Sequence, residues 1–390
     1  MESVVLITLH TGFNYGTLLQ AYAMKKLIEE CGYSSMMLWH SDGIIKGRDV
    51  TIAKLLTMLR RIIYHPSAYK KTVGVYLDNY SYKIDDETKQ MFLDFAKDNF
   101  DITKLSFHKM RKLCYSDKIK ACVCGSDQIW NADSLYVSPY YYLRFAPKNK
   151  RIAYAPSFGK TSVPDYNKKI IGKYLKDFKS ISVREESGKN IVKHLVNLDV
   201  CVVLDPTLAI EPNEWKKIVQ IDNSEKYILC YFLDEPKKEI LELIKKIQVQ
   251  YSFSIKTILY DRDCFNDFEN VSFINAGPYE FLNLTCNASF VITDSFHSSI
   301  FSIIYGIPFY TVDRNHKHST SQTTRIQSIL NKLKLTERFL KSDESNLDIS
   351  SCLNCDFSIS WDILERERKC SKKFLKEAIE ENNEYCCAIE

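Results

Sequence analysis

The chain has 390 residues, 45% of them hydrophobic and 26% charged, and a formal net charge of +4. Such a length exceeds what one hydrophobic core usually supports, so two domains are expected, and the ordinary composition excludes a disordered or fibrous chain. The small charge gives no electrostatic footprint for nucleic acid, and no apolar stretch reaches the length of a membrane span.

In chain order, VVLITL (4–9) reads as a first strand rather than a secretory leader, and residues 17–30 as a helix with Leu18, Leu19, Tyr22, Met24 and Leu27 inward. YSSMML (33–38) is a short strand. Residues 44–71 differ in character: Lys46, Arg48, Lys54, Arg60, Arg61, Lys70 and Lys71 stand against Asp49 alone, interleaved with Leu55, Leu56, Met58, Leu59, Ile62 and Ile63. This is a basic amphipathic helix, either an ordinary domain helix or one that lies on an anionic membrane surface. A helix at 85–99 follows, then strands at 119–124, 151–155 and 179–183, and a helix from about Glu185.

The second half repeats the alternation. CVVLD (201–205) is a strand, 211–219 a helix, 226–233 a strand, 236–249 a helix and 254–260 a strand. Then come a helix at 279–287, a strand at 289–293, a helix from about 296 and a strand at 308–312. The charged amphipathic segment 361–382 is expected to pack back across the first domain. Strands alternating with helices predict parallel sheets covered on both faces, hence an α/β fold of two Rossmann-like domains facing a cleft. The expected division is 1–180, 181–335 and a helical extension at 336–390.

Thirteen cysteines are scattered along the chain. With no leader they are expected to be mostly free thiols in a reducing cytosol. Cys352-x-x-Cys355 has metal-ligand spacing but no partner pair, so no metal is expected.

Ligands of open α/β sheets bind beyond the carboxyl ends of the strands, so the polar turns there are the candidates. HTGFNYGTLLQ (10–20) runs a glycine-containing turn into a helix N-terminus, which suits an anion or a sugar hydroxyl. CGSDQIWN (124–131) crowds Ser126, Asp127 and Gln128 against Trp130, a way to hold a sugar ring. YAPSFG (154–159) is a small-residue turn that admits close backbone approach. In SVREE (182–186) Arg184 sits at a positive helix start, where it costs stability and suggests a phosphate or carboxylate ligand. TDSFHSSIF (293–301) sets Asp294, Ser295, His297, Ser298 and Ser299 at a strand end, either as a helix cap or as an active-site floor. His297, in the first helical turn, should titrate low or pair with an anion. Beyond the last strand, Arg314, His316, Lys317, His318 and Arg325 follow in quick succession and could neutralise a phosphorylated small molecule. For each turn the plain alternative is a capped or solvated loop.

Taken in order, FNYGTLLQAYA, CGSDQIWN, YAPSFG, SVREESG, LDPTL and TDSFHSSIFSIIYGIPFY resemble the polysaccharide pyruvyl transferase family over roughly residues 5–335. The resemblance implies a GT-B-like fold, with 1–180 on the acceptor side and 181–335 on the donor side. It implies transfer of the enolpyruvyl unit of phosphoenolpyruvate to a hexose, commonly as a ketal bridging O4 and O6. No cofactor or metal is implied. The acceptor would be a surface-polysaccharide sugar, galactose-type and carried on undecaprenyl diphosphate, with cytoplasmic localisation and peripheral contact at the inner membrane face. His297 is then the acid and Asp127 the acceptor-side base. Arg184, Ser295, Phe296, Ser298, Arg314 and Arg325 fall on the donor side. Asn14, Tyr15, Ser126, Gln128, Trp130, Asn131 and Ser157 fall on the acceptor side. The family's Arg-Leu-His motif places an arginine where this chain has Ser295, so another cation, Arg325 or Arg314, is expected to replace it. The alternatives of the same fold are a nucleotide-sugar glycosyltransferase and a non-catalytic binding protein.

Overall fold

The computed structural model describes residues 2–39, 50–67, 84–134, 136–222, 224–258, 262–314, 323–341 and 349–380. Among them, thirteen strands form two sheets in which every pairing is parallel. The first contains β1 (Ser3–Ile7), β2 (Ser34–Leu38), β3 (Ile102–Thr103), β4 (Ile119–Cys124), β5 (Arg151–Ala153), β6 (Ser180–Val183) and β7 (Cys201–Val202), in the order β3-β2-β1-β4-β5-β6-β7. The second contains β8 (Tyr227–Tyr231), β9 (Ser254–Ile258), β10 (Val271–Ile274), β11 (Phe290–Thr293), β12 (Phe309–Val312) and β13 (Phe339–Leu340), in the order β10-β9-β8-β11-β12-β13. Each sheet starts in its middle, winds to one edge and returns to the other side. That is the doubly wound Rossmann arrangement, with switch points between β1 and β4 and between β8 and β11. Helices cover both faces, which is why β1 reads as an unbroken apolar run, with Val4 to Ile7 all fully buried.

Sheet membership corrects the expected division. Strands β6 and β7 pair with β5 and with each other, so the first sheet runs through Val202 rather than ending at residue 180. CVVLD belongs to this sheet, and β13 extends the second sheet past residue 335. Four-residue and two-residue strands carry no local mark of which sheet they join.

The halves share one apolar core. The helix Tyr15–Glu30 is buried on most of its circumference and packs between the sheets. Tyr15 stacks on Phe281 at 4.5 Å, its hydroxyl donates to the Ala276 carbonyl at 2.7 Å, and Tyr22, Trp215 and Phe301 form a second aromatic chain. The terminal helix Ser358–Glu380 crosses both halves. At its start Trp361 donates to the Ile303 carbonyl at 3.0 Å and lies over Gly306, the left-handed residue that ends the helix Phe296–Tyr305. Further along, Ser371 Oγ accepts from the Leu204 amide, and the Ala378 carbonyl accepts from Lys179.

Most of the described cysteines, Cys31, Cys122, Cys124 and Cys230 among them, carry free thiols, and Cys201 is disulfide-bonded. The Arg338 guanidinium donates to the carbonyls of Cys352 and Asn354, which puts a cation beside the Cys-x-x-Cys turn. Among the described residues no group of three or more His, Cys, Asp or Glu could hold a metal, and no helix is long and apolar enough to cross a membrane.

Candidate active site

The two switch points face each other across a cavity of about 320 Å³. From the first sheet come Asn14, Thr17, Asp127 and Gln128; from the second come Asp294, Ser295, Phe296, His297, Arg314 and Arg325. Two helices begin here. Asn14 caps the helix Tyr15–Glu30 by accepting from the Thr17 amide at 3.1 Å, and Ser295 caps the helix Phe296–Tyr305 by accepting from the Ser298 amide at 3.5 Å. The positive ends of both helices therefore converge on one cavity, with no acidic residue in either first turn.

Each switch point is stitched by a buried side chain. At the first, the Gln20 amide donates to the Leu9 carbonyl at 2.7 Å and its oxygen accepts from the Ser126 amide at 3.2 Å, joining the turns after β1 and β4. At the second, the Asp294 carboxylate accepts from the Leu233 and Asp234 amides at 2.6 and 2.9 Å, joining the turns after β8 and β11. Burial raises the Asp294 carboxyl to about 6, with Arg314 and the two amides opposing the rise.

His297 is buried, and its imidazole rests on the bare Cα of Gly16. A Cβ at position 16 would lie 2.0 Å from Nδ1. Its Nε2 is 4.0 Å from Asp205 Oδ2 and makes no hydrogen bond to the described residues. Burial lowers its pKa; Asp205 and Asp127 oppose this, and Arg184 and Arg325 add to it. The expected low titration thus holds, but desolvation is the leading cause.

Behind His297 lies a buried charge cluster. Arg184 donates to Asp205 at 2.7 Å and approaches Glu185 and Asp127 at 3.5 and 3.7 Å. Burial works against the guanidinium, yet the three carboxylates hold its pKa above the ordinary value, and Arg184 in turn keeps buried Asp205 ionised. The Phe296 ring is flanked by Arg184 at 4.9 Å and Arg325 at 5.7 Å. Burial and the neighbouring Arg184 lower Arg325 to about 10, which leaves it charged at neutral pH.

Asp127 holds φ at 59°, an uncommon conformation for a residue with a side chain. Its carbonyl accepts from the Ser157 amide at 2.8 Å and its carboxylate from the Thr17 hydroxyl at 3.4 Å. The carboxylate therefore faces the same space as His297.

Several expected ligands lie elsewhere. Trp130 does not face a ligand: it is fully buried, stacked on Tyr142 at 5.1 Å, with Nε1 donating to the Tyr141 carbonyl. Tyr15 belongs to the aromatic core, and Asn131 is exposed and caps its own turn through the Asp133 amide. Ser126 and Ser157 are fully buried, their hydroxyls donating to Ala155 and Glu185. Ser298 is sealed inside, and Ser299 ties its helix to β12 through Thr311. Arg184 lines a separate cavity of about 40 Å³ with Glu185, Asp205, Phe296, Arg325 and Lys332. His316, Lys317 and His318 lie outside the described residues. Conversely, Gly16, Thr17 and Asp205 take part in the site without having been singled out. Asp205 carries a signal, since it follows an apolar run in LDPTL; the role of Gly16 depends on a residue 281 positions away and carries none.

Two doubly wound sheets closing on one cavity at their switch points define a GT-B-type protein. One solved structure agrees at the level of fold, and two others are similar at lower scores. UGT89C1 from Arabidopsis thaliana matches with a TM-score of 0.51 at 10% identity, covering 97% of this chain and 98% of that one. MnaA from S. aureus, solved with UDP, gives 0.49 at 8% identity over 97% and 94%. MurG from Acinetobacter baumannii gives 0.43 at 10% over 98% and 100%. The family profile of polysaccharide pyruvyl transferases matches residues 14–316, and the chain belongs to that family. It is accordingly a transferase of polysaccharide pyruvylation. A comparison with curated proteins gives no match.

Proposed function

We infer that the chain transfers the enolpyruvyl unit of phosphoenolpyruvate to two hydroxyls of a hexose. The acceptor we propose is galactose-type, bridged as a 4,6-ketal, on a lipid-carried precursor of a surface polysaccharide. The reaction would run in the cytoplasm at the inner membrane face, without metal or cofactor. One observation carries this reading: His297 sits between a cationic wall, formed by two helix N-termini with Arg314 and Arg325, and the carboxylate of Asp127. A donor bearing both phosphate and carboxylate suits that wall. Ser295 spends its side chain on the helix cap, so it supplies no charge where the family carries arginine. Arg325, held over the ring of Phe296, is our replacement for it.

His297 gives a proton to C3 of the donor, which leaves cationic character at C2. A sugar hydroxyl attacks C2 and passes its proton to Asp127. The C2–O bond to phosphate breaks, and the second hydroxyl closes the ring on C2. Of the two hydroxyl protons, one replaces that given to C3 and the other leaves with phosphate. Asp205, 4.0 Å from Nε2 and itself fixed by Arg184, sets a carboxylate beside the imidazole.

The test is calorimetric titration of the purified chain with phosphoenolpyruvate and with nucleotide sugars, followed by assay of phosphate release with a galactoside acceptor. We expect saturable binding of phosphoenolpyruvate and acceptor-dependent phosphate release that His297→Ala abolishes. Nucleotide-sugar binding without phosphoenolpyruvate binding would replace this reading with glycosyl transfer, and binding of neither would leave a non-catalytic protein.

A further inference from the structure

The helix Val50–Tyr64 buries an arginine and exposes an aliphatic stripe. On its inner side Arg61 is buried beside half-buried Met58 and Ile62: Nη1 donates to the Ser134 carbonyl at 2.8 Å, Nη2 donates to Asn167 Oδ1 at 2.6 Å, and the guanidinium covers the Tyr166 ring at 4.7 Å. A second set of aliphatic residues faces out. Leu55, Leu56, Leu59 and Ile63 are 45–70% exposed, and Tyr64 at the helix end is 73% exposed. At 100° per residue the four aliphatic residues fall within a sector of about 100°. Exposed Arg60 borders that sector.

Isolated exposed leucines mean nothing, but a continuous stripe of them does. The charge pattern says what covers it. The helix contains no acidic residue, and the sequence 44–71 carries seven Lys or Arg against Asp49 alone. An aliphatic stripe bordered by arginine, without acids and ending in tyrosine, fits an anionic bilayer surface, where the apolar side enters the acyl boundary and the cations meet headgroups. A second copy of this chain would set the same basic segment against itself.

The position of the helix matters as much as its chemistry. Asn167, which receives Arg61, donates to the carbonyls of Ala132 and Ser134 at 2.7 and 2.9 Å. Those residues continue the turn that carries Asp127 and Gln128 into the main cavity. The helix is thus hydrogen-bonded through Arg61 to the first-sheet wall of the site, on the carboxyl edge of that sheet.

We propose that the helix Val50–Tyr64 is a peripheral docking element for anionic lipid, seated beside the cavity through Arg61. The proposal stands on exposure, charge and attachment. It is independent of which donor the site uses, since lipid binding is read without turnover. The test is flotation of the full chain with vesicles of phosphatidylcholine alone or with added phosphatidylglycerol. The chain should float with the anionic vesicles and not with neutral ones. Serine at Leu55, Leu59 and Ile63 together should weaken partitioning by tenfold or more. Arg60→Glu should weaken it by about fivefold, and added salt should do so progressively. Because these positions are already exposed, the variants should keep the wild-type melting temperature and circular dichroism. Failure of the wild-type chain to float with anionic vesicles would overturn the proposal, as would flotation indifferent to the serine substitutions. So would a wild-type dimer that the same substitutions dissociate, because a second copy would then cover the stripe.

Discussion

His297 is held in a state that suits a base better than an acid. Burial keeps its pKa below the ordinary imidazole value, so the imidazole is neutral at neutral pH. An acid role requires the donor to bring the proton affinity with it. The sign follows from linkage: a bound dianion raises the imidazole pKa, so binding takes up a proton, and affinity falls as pH rises between the free and bound values. Calorimetry in buffers of different ionisation heat should show this uptake, with donor affinity falling by at most about tenfold per pH unit. His297→Gln should remove the imidazole's share and leave only the titration of the donor phosphate itself. Identical proton uptake by wild type and variant would remove His297 as the acid. At this scale the sequence was partly legible. TDSFHSSIF announced a polar strand end, and His297, Ser295 and Asp294 all meet the cavity. Trp130 misled because a tryptophan beside Asp127 and Gln128 reads the same whether it faces a sugar or the core. Tyr142 and Phe178, which enclose it, arrive 12 and 48 residues later.

Between elements, two helix N-termini from different halves approach each other at the site. Gly16 lets them meet: its missing side chain is the seat of the imidazole. Alanine at an ordinary helix position would add about 0.5–1 kcal/mol of stability. Here Gly16→Ala should instead displace the His297 ring, so kcat should drop sharply while the fold persists. Steady-state kinetics beside a melting curve check this; unchanged kcat would mean that the ring position is not needed. The alternation of strands and helices was readable because each element carries its own period and caps. Which sheet β6 and β7 join was not, because strand order is decided by neighbours far away in sequence.

For the molecule as a whole, the two sheets are not independent lobes. Tyr15 reaches from the first helix to Phe281 and Ala276, and the helix Ser358–Glu380 is fixed at its start to Ile303 and further along to Leu204 and Lys179. Scanning calorimetry of the full chain should therefore give one cooperative transition. A chain ending at residue 357 should melt at a lower temperature and in two steps, since apolar surfaces on both halves lose their cover. Retention of a single unshifted transition would show that the helix is dispensable. The same helix bears on how the protein is made. Its partners include Cys31, whose thiol lies 3.9 Å from the Lys372 carbonyl across 341 positions of sequence. In a nascent chain this contact must wait until the helix has been made. Until then both halves carry a bare apolar groove, which chaperones can cover.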